Sequence, residues 1–106
     1  MYTLRFFFEW GATHCLWCGD DETTARYGVG PIQFDDLPLS DSLKATLLQM
    51  GEEYQTALNW QYPPDPSPWT AEHRADFLRR SEDVYRQLVE ELGAEHHVLY
   101  QVTCPE

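Results

Sequence analysis

The sequence predicts a small α+β domain of two layers: two amphipathic helices on one face of a short, mainly antiparallel sheet, in the order β-β-α-α-β. Three patterns carry this expectation. The first ten residues alternate with a period of two. Residues 40–58 and 70–93 repeat their apolar side chains at helical spacing. A β-branched stretch lies near the end of the chain. At 106 residues, with 42% hydrophobic and 14% aromatic side chains, the chain suits one domain over residues 1–106 with a core of its own.

The elements follow in order. Tyr2, Leu4, Phe6, Phe8 and Trp10 share one face of a first strand, against Thr3, Arg5, Phe7 and Glu9. Gly11-Ala12-Thr13 reads as a turn, and residues 14–18 as the hairpin partner of that strand. Asp20 can cap a helical turn that ends near Gly28. Ser40 is an N-cap, and Leu43, Leu47, Met50, Tyr54 and Leu58 form the stripe of the first long helix, opposite Lys44, Gln49, Glu52, Glu53 and Gln55. Residues 62–68 hold four prolines and read as a stiff extended connector. Thr70 caps the second long helix, whose stripe is Ala71, Ala75, Leu78, Tyr85, Leu88, Val89 and Leu92, widened by Phe77 and Val84. Arg79/Asp83, Asp76/Arg80 and Glu82/Arg86 are opposite charges four apart on its wet face. Gly93 stops the helix, and residues 97–103 form the last strand, placed beside the first.

Charge narrows the function classes. Eighteen acidic and seven basic side chains give a net charge of −11. Such a surface repels phosphate, so neither nucleic acid nor an anionic membrane is an expected partner, and a basic protein is the natural complement. The alternative is that acidity only keeps the chain soluble. The N-terminal residues lack the features of a signal peptide and no run reaches the length of a membrane span, so the cytoplasm is the expected location.

Chemistry-bearing clusters are few. Cys15-x-x-Cys18 has the spacing of half a zinc site or a redox pair, with Cys104, His96 and His97 as possible further ligands. Within a strand, positions three apart face opposite sides, which opposes both uses and favours two core cysteines. Asp20, Asp21 and Glu22 lack the order of an EF-hand loop. His73 is expected to face solvent, and at least one of His96 and His97 should be exposed. Ser40, Ser42, Ser67 and Ser81 are accounted for by caps and helix surface. No nucleophile elbow, phosphate loop or paired-histidine zinc motif occurs, so catalysis has no positive support and no cofactor or metal is assigned. Binding is expected to use Trp60, Tyr62, Asp65 and Trp69 of the aromatic-proline segment, with Asp20, Asp21 and Glu22. The competing reading of that segment packs its tryptophans inward.

Several stretches resemble a bacterial family of small, acidic, uncharacterised proteins: Phe8-Glu9-Trp10-Gly11 with His14-Cys15-Leu16-Trp17, then Asp36-Leu37-Pro38-Leu39-Ser40, Leu58-Asn59-Trp60-Gln61-Tyr62-Pro63-Pro64, Trp69 and Glu91-Leu92-Gly93. Proteins of this sort look like immunity proteins, which neutralise a cognate toxin. The resemblance implies an inhibitor and transfers no functional residue. Three readings follow: a non-enzymatic inhibitor of a basic toxin, a metal- or thiol-dependent protein using Cys15 and Cys18, and a self-associating module, for which open strand edges allow a homodimer.

Overall fold

The structure is a computed structural model that describes residues 1–12, 14–58, 61 and 67–103. Its elements are β1 (Tyr2–Phe6), β2 (Leu16–Cys18), α1 (Asp21–Tyr27), α2 (Asp41–Gln55), α3 (Ala71–Leu92) and β3 (His96–Tyr100). Single 3-10 turns, Phe34–Asp36 and Gly93–Glu95, precede α2 and β3. The strands form one sheet in the order β2-β1-β3. The α+β class and the placing of the last strand beside the first are as expected, and the predicted helical turn is a seven-residue helix.

The sheet is mixed rather than mainly antiparallel. β1 and β2 pair antiparallel over Leu4↔Cys18 to Phe6↔Leu16, whereas β1 and β3 pair parallel over Tyr2↔His96 to Phe6↔Tyr100. A parallel partner needs a long crossover, and the helices between β2 and β3 supply it. Only Gly93–Glu95 separates α3 from β3, so the strand turns straight back along the helix. Gly93, at φ +73°, makes that reversal, and its N–H returns to Val89 O.

Backbone hydrogen bonds show which edge each strand offers. Gln101 N–H donates to Phe6 O, so in β3 the odd-numbered residues face β1 and the even-numbered ones face outward. One outward carbonyl, Val98 O, accepts from the Tyr85 hydroxyl of α3 at 3.0 Å. That contact blunts the open edge of β3. On the other edge, Ile32 N–H donates to Leu16 O and Pro31 bridges Trp17. Gly19 leads out of β2 under β1: its N–H reaches Thr3 O at 2.8 Å, and a Cβ there would lie 2.8 Å from Thr3 Cγ2. Only glycine passes so close to the neighbouring strand.

The core forms where the even face of β1 meets the helices. Leu4, Phe6 and Phe8 pack with Val98, with Leu43, Leu47, Met50 and Tyr54 of α2, and with Phe77, Val84, Leu88 and Leu92 of α3. Phe77 is its hub, with ring centroids 5.1 Å from both Phe8 and Trp69 and 5.9 Å from Tyr54. The odd face stays outside, where Phe7 stacks on Trp17 at 4.9 Å under the Arg5 guanidinium.

The structure revises several boundaries. β1 ends at Phe6 instead of Trp10. Residues 9–12 form a turn pinned by Gln55, whose Oε1 accepts from Gly11 N–H and whose Nε2 donates to Glu9 O and Ala12 O. α2 ends at Gln55, before Leu58. Thr56 tightens the last turn, its N–H and hydroxyl both reaching Glu53 O. The buried stripe of α3 is Phe77, Ser81, Val84, Leu88 and Leu92, while Ala71, Ala75 and Val89 are exposed. Ser81 is thus a core residue and not a surface one, with its hydroxyl satisfied by Phe77 O at 2.8 Å. The caps Ser40 and Thr70 accept from Leu43 N–H and His73 N–H as expected.

Replacing Phe77 with alanine is expected to destabilise the fold by about 3–5 kcal/mol. The measurement is the urea midpoint, which should fall at unchanged slope. A loss below about 1 kcal/mol would mean that the aromatic hub is not the centre of the core.

Candidate partner-binding surface

The seven cations decide what the surface looks like. Each of them is engaged within the chain. Lys44 pairs with Asp35, Arg79 with Asp76, and Arg86 with Asp83. Arg80 bridges Asp76 and Glu53. Arg74 donates to Trp69 O, Arg5 donates to Gln101 and lies over the Phe7 ring, and Arg26 lies over Tyr27. These pairs use four carboxylates out of the chain's eighteen acidic side chains. Among the described residues, the remaining acidic side chains have no side-chain cation beside them. What is left exposed is therefore acidic well beyond what internal pairing can neutralise.

Glu53 is the best-built ion pair. Arg80 Nη1 and Nη2 donate to its two oxygens at 2.9 and 2.5 Å, and His73 Nε2 lies 2.8 Å from Oε2. The Arg80 hydrogen bonds, more than the His73 contact, hold its carboxyl below the usual range. His73 also stacks on Trp69 at 4.0 Å, so the side chain is half-buried, with one face of the ring covered and the rest open as its helix position suggested. Trp69 is only 6% exposed, and its Nε1–H donates to Thr56 Oγ1 at 2.7 Å. It joins the ends of α2 and α3 and offers no open face to a partner, because its ring fills the gap against Phe77. Trp60, Tyr62 and Asp65 lie outside the described residues.

The acidic cluster at α1 divides by role. Asp20 is the N-cap: Oδ1 accepts from Thr23 N–H at 2.9 Å and from its hydroxyl at 2.6 Å, which lowers the carboxyl pKa. Thr23 Oγ1 in turn accepts from Thr3 N–H, tying α1 to β1. Asp21 is exposed, and Glu22 lies 3.7 Å from the N-terminal amine. Glu91 acts differently again. It accepts from Ser40 N–H at 2.6 Å and from the Ser40 hydroxyl at 3.0 Å, locking the start of α2 to α3. Neither this bond nor the Glu53–Arg80 bridge was visible in sequence, since each joins residues far apart in the chain. The observed short-range pairs also differ. Arg79 and Arg86 reach back three residues to Asp76 and Asp83 instead of pairing with Asp83 and Glu82.

The cysteines and histidines do not assemble. Cys15 is fully buried, and burial pushes its thiol pKa up strongly. Cys18 is half-exposed, with Sγ 3.3 Å from Gly28 O, and Cys104 lies outside the described residues. His96 is held by Leu92 O at Nδ1, leaving Nε2 to accept from the Tyr27 hydroxyl, while His97 is exposed. Among the described residues no group of three His, Cys, Asp or Glu side chains is placed to hold a metal ion. Among them, too, no helix is long and apolar enough to cross a membrane.

The described residues thus make a small α+β scaffold with carboxylates in excess and one fully buried thiol, Cys15. The chain belongs to the Serratia CdiI immunity protein-like family, whose model matches residues 2–103. A comparison with curated proteins gives no match.

Two measurements check the site. Glu53 has a folded pKa below its ordinary value of 4.5, so its contribution is complete above that pH and fades as pH falls through the folded value. Glu53→Gln should therefore cost roughly 1–2 kcal/mol at neutral pH and progressively less in acid. Denaturation of both proteins across that range reads the difference. Alkylation followed by mass spectrometry should label Cys18 in the native protein and Cys15 only after unfolding; native labelling of Cys15 ahead of Cys18 would contradict its burial.

Proposed function

We propose that this chain is an immunity protein that binds and neutralises a cationic toxin, and that it works by occupying a surface and not by catalysis. The observation that carries the reading is the state of the charges. Every Lys and Arg is engaged internally, and a large surplus of carboxylates is left for a partner to neutralise. Family membership supports the same direction. A toxin that acts on nucleic acid needs a cationic site to hold phosphate, and such a site is the electrostatic complement of this surface. Asp21 and Glu22 stand free of side-chain cations for this purpose, whereas Asp20 is occupied as a cap. The aromatic-proline segment with Trp60, Tyr62 and Asp65 stays in the proposal on its sequence alone. The reading also places the protein in the cytoplasm, where it would meet its toxin.

Burial of Cys15 counts against the thiol reading, because the nucleophilic or metal-binding species is the exposed thiolate.

The test pairs this chain with a toxin domain encoded by a neighbouring gene, and the absence of any such gene counts against the proposal. Co-expression should restore growth to cells making the active toxin. Association should slow by about tenfold or more between low and high salt while dissociation changes little. A neighbouring toxin that neither binds nor is neutralised would sink the proposal.

A further inference from the structure

The sheet has one covered face and one open face. α2 and α3 pack on the face that holds Leu4, Phe6 and Val98, and Tyr27 of α1 joins Tyr2 and His96 on the same side. On the other face the register sets Arg5 between Trp17 and Leu99. Pro31 extends this row, because it bridges Trp17. Phe7 adds a second ring, stacked on Trp17 at 4.9 Å. Arg5 and Pro31 are exposed, and Phe7, Trp17 and Leu99 are half-buried. These side chains are already held in place. Trp17 Nε1–H donates to Phe7 O at 3.2 Å, and Arg5 lies over the Phe7 ring while its Nε donates to Gln101 Oε1 at 2.8 Å. Covering such ordered groups costs little side-chain entropy.

Charge sets this face apart from the rest of the molecule. None of its positions on the three strands holds Asp or Glu, and Arg5 is its one formal charge. Asp20 reaches only its corner, at Thr3, and is occupied as the α1 cap. Half of the eighteen acidic residues lie on α2 and α3, behind the sheet. The strand edges offer a second chain much less. Val98 O is taken by Tyr85 on one edge, and Leu16 O by Ile32 on the other.

We propose that two copies of this chain pair through the open sheet face, covering Phe7, Trp17, Pro31 and Leu99 and turning their helix layers outward. Two sheets stack face to face about 10 Å apart, with inner side chains interdigitated. This arrangement puts the carboxylates of α2 and α3 on opposite outer sides of the pair. A chain of charge −11 thus meets its copy where repulsion is least. A cationic toxin is the poorer occupant, because the face shows it Arg5 and no carboxylate. With strands about 4.8 Å apart the patch is roughly 15 Å on a side, small for a specific interface, so the dimer is weak. The inference goes beyond the proposed function and does not rest on it, since pairing of the sheets leaves the helix surfaces open to another partner.

Sedimentation equilibrium of the full chain tests this. Between about 10 μM and 1 mM the parent should pass from monomer to dimer, with a dissociation constant of about 100 μM. Raising the salt from about 20 to 500 mM should tighten the dimer about tenfold, because it screens two like-charged chains; an association built on opposite charges would loosen instead. Leu99→Glu and Arg5→Glu each add a carboxylate to the face, and each should stay monomeric at about 1 mM. Arg5 is exposed, so Arg5→Glu decides the matter where thermal melting shows Leu99→Glu to be unfolded. Leu48→Glu adds a carboxylate at an exposed position of α2 and should weaken the dimer by less than about threefold. The inference is overturned if the parent stays monomeric at high salt, if salt loosens the dimer, if Arg5→Glu pairs as well as the parent, or if Leu48→Glu disrupts pairing as strongly as Arg5→Glu.

Discussion

The parallel pairing of Tyr2–Phe6 with His96–Tyr100 joins the two ends of the chain, and the packing of the helices depends on it. It makes β1 the central strand. It presents Leu4, Phe6 and Val98 on one surface, which is the surface α2 and α3 cover. Because the partners lie so far apart in sequence, their pairing carries the largest loop-closure cost in the fold. The core that forms beneath must offset that cost, which is why so much aromatic volume is concentrated round Phe77. The polar links serve the same closure. Glu53–Arg80 and Ser40–Glu91 fasten the two ends of α2 to α3, and Tyr85 fastens α3 to β3.

Much of this was legible in the sequence where the signal is local. The alternation of Tyr2 to Phe8, the caps Ser40 and Thr70, and the stop at Gly93 each depend on a few neighbouring residues, and each appears where the pattern put it. Strand direction was not legible, because it depends on how α3 lies across the sheet. The buried face of α3 was drawn too wide for a related reason. Phe77, Val84, Leu88 and Leu92 enter the core and Leu78 and Tyr85 pack at its rim, but Ala71, Ala75 and Val89 are exposed, and periodicity alone does not say where burial stops. Ser81 lies inside that face, its hydroxyl satisfied by Phe77 O. The candidate site was less legible still. Its carboxylates could be counted, but which of them are free depends on where seven cations go, and that is a tertiary property.

The distribution of charge follows from a simple competition. Carboxylates within reach of an arginine on α3 are drawn into pairs, and the best of these, Glu53, lies between two helices where water screens it least. The others remain hydrated and repel one another. Such repulsion weakens the folded state slightly and opposes the approach of a second copy. On the proposed function, a cationic partner relieves that repulsion, and the attraction acts before contact, on the rate of encounter more than on the lifetime of the complex.

Attraction alone does not select one toxin among many cationic ones. Selection needs a shape that the right partner fits and a wrong one leaves unpaired or clashing. An aromatic ring that cannot swing away serves that end better than a mobile one, because little entropy is lost when it is covered. Tyr85 shows how such a ring is held, since the hydroxyl that blunts the β3 edge also fixes the ring against Tyr100 at the rim of the core. One hydrogen bond thus covers an open strand carbonyl and ties α3 to the sheet on which it packs.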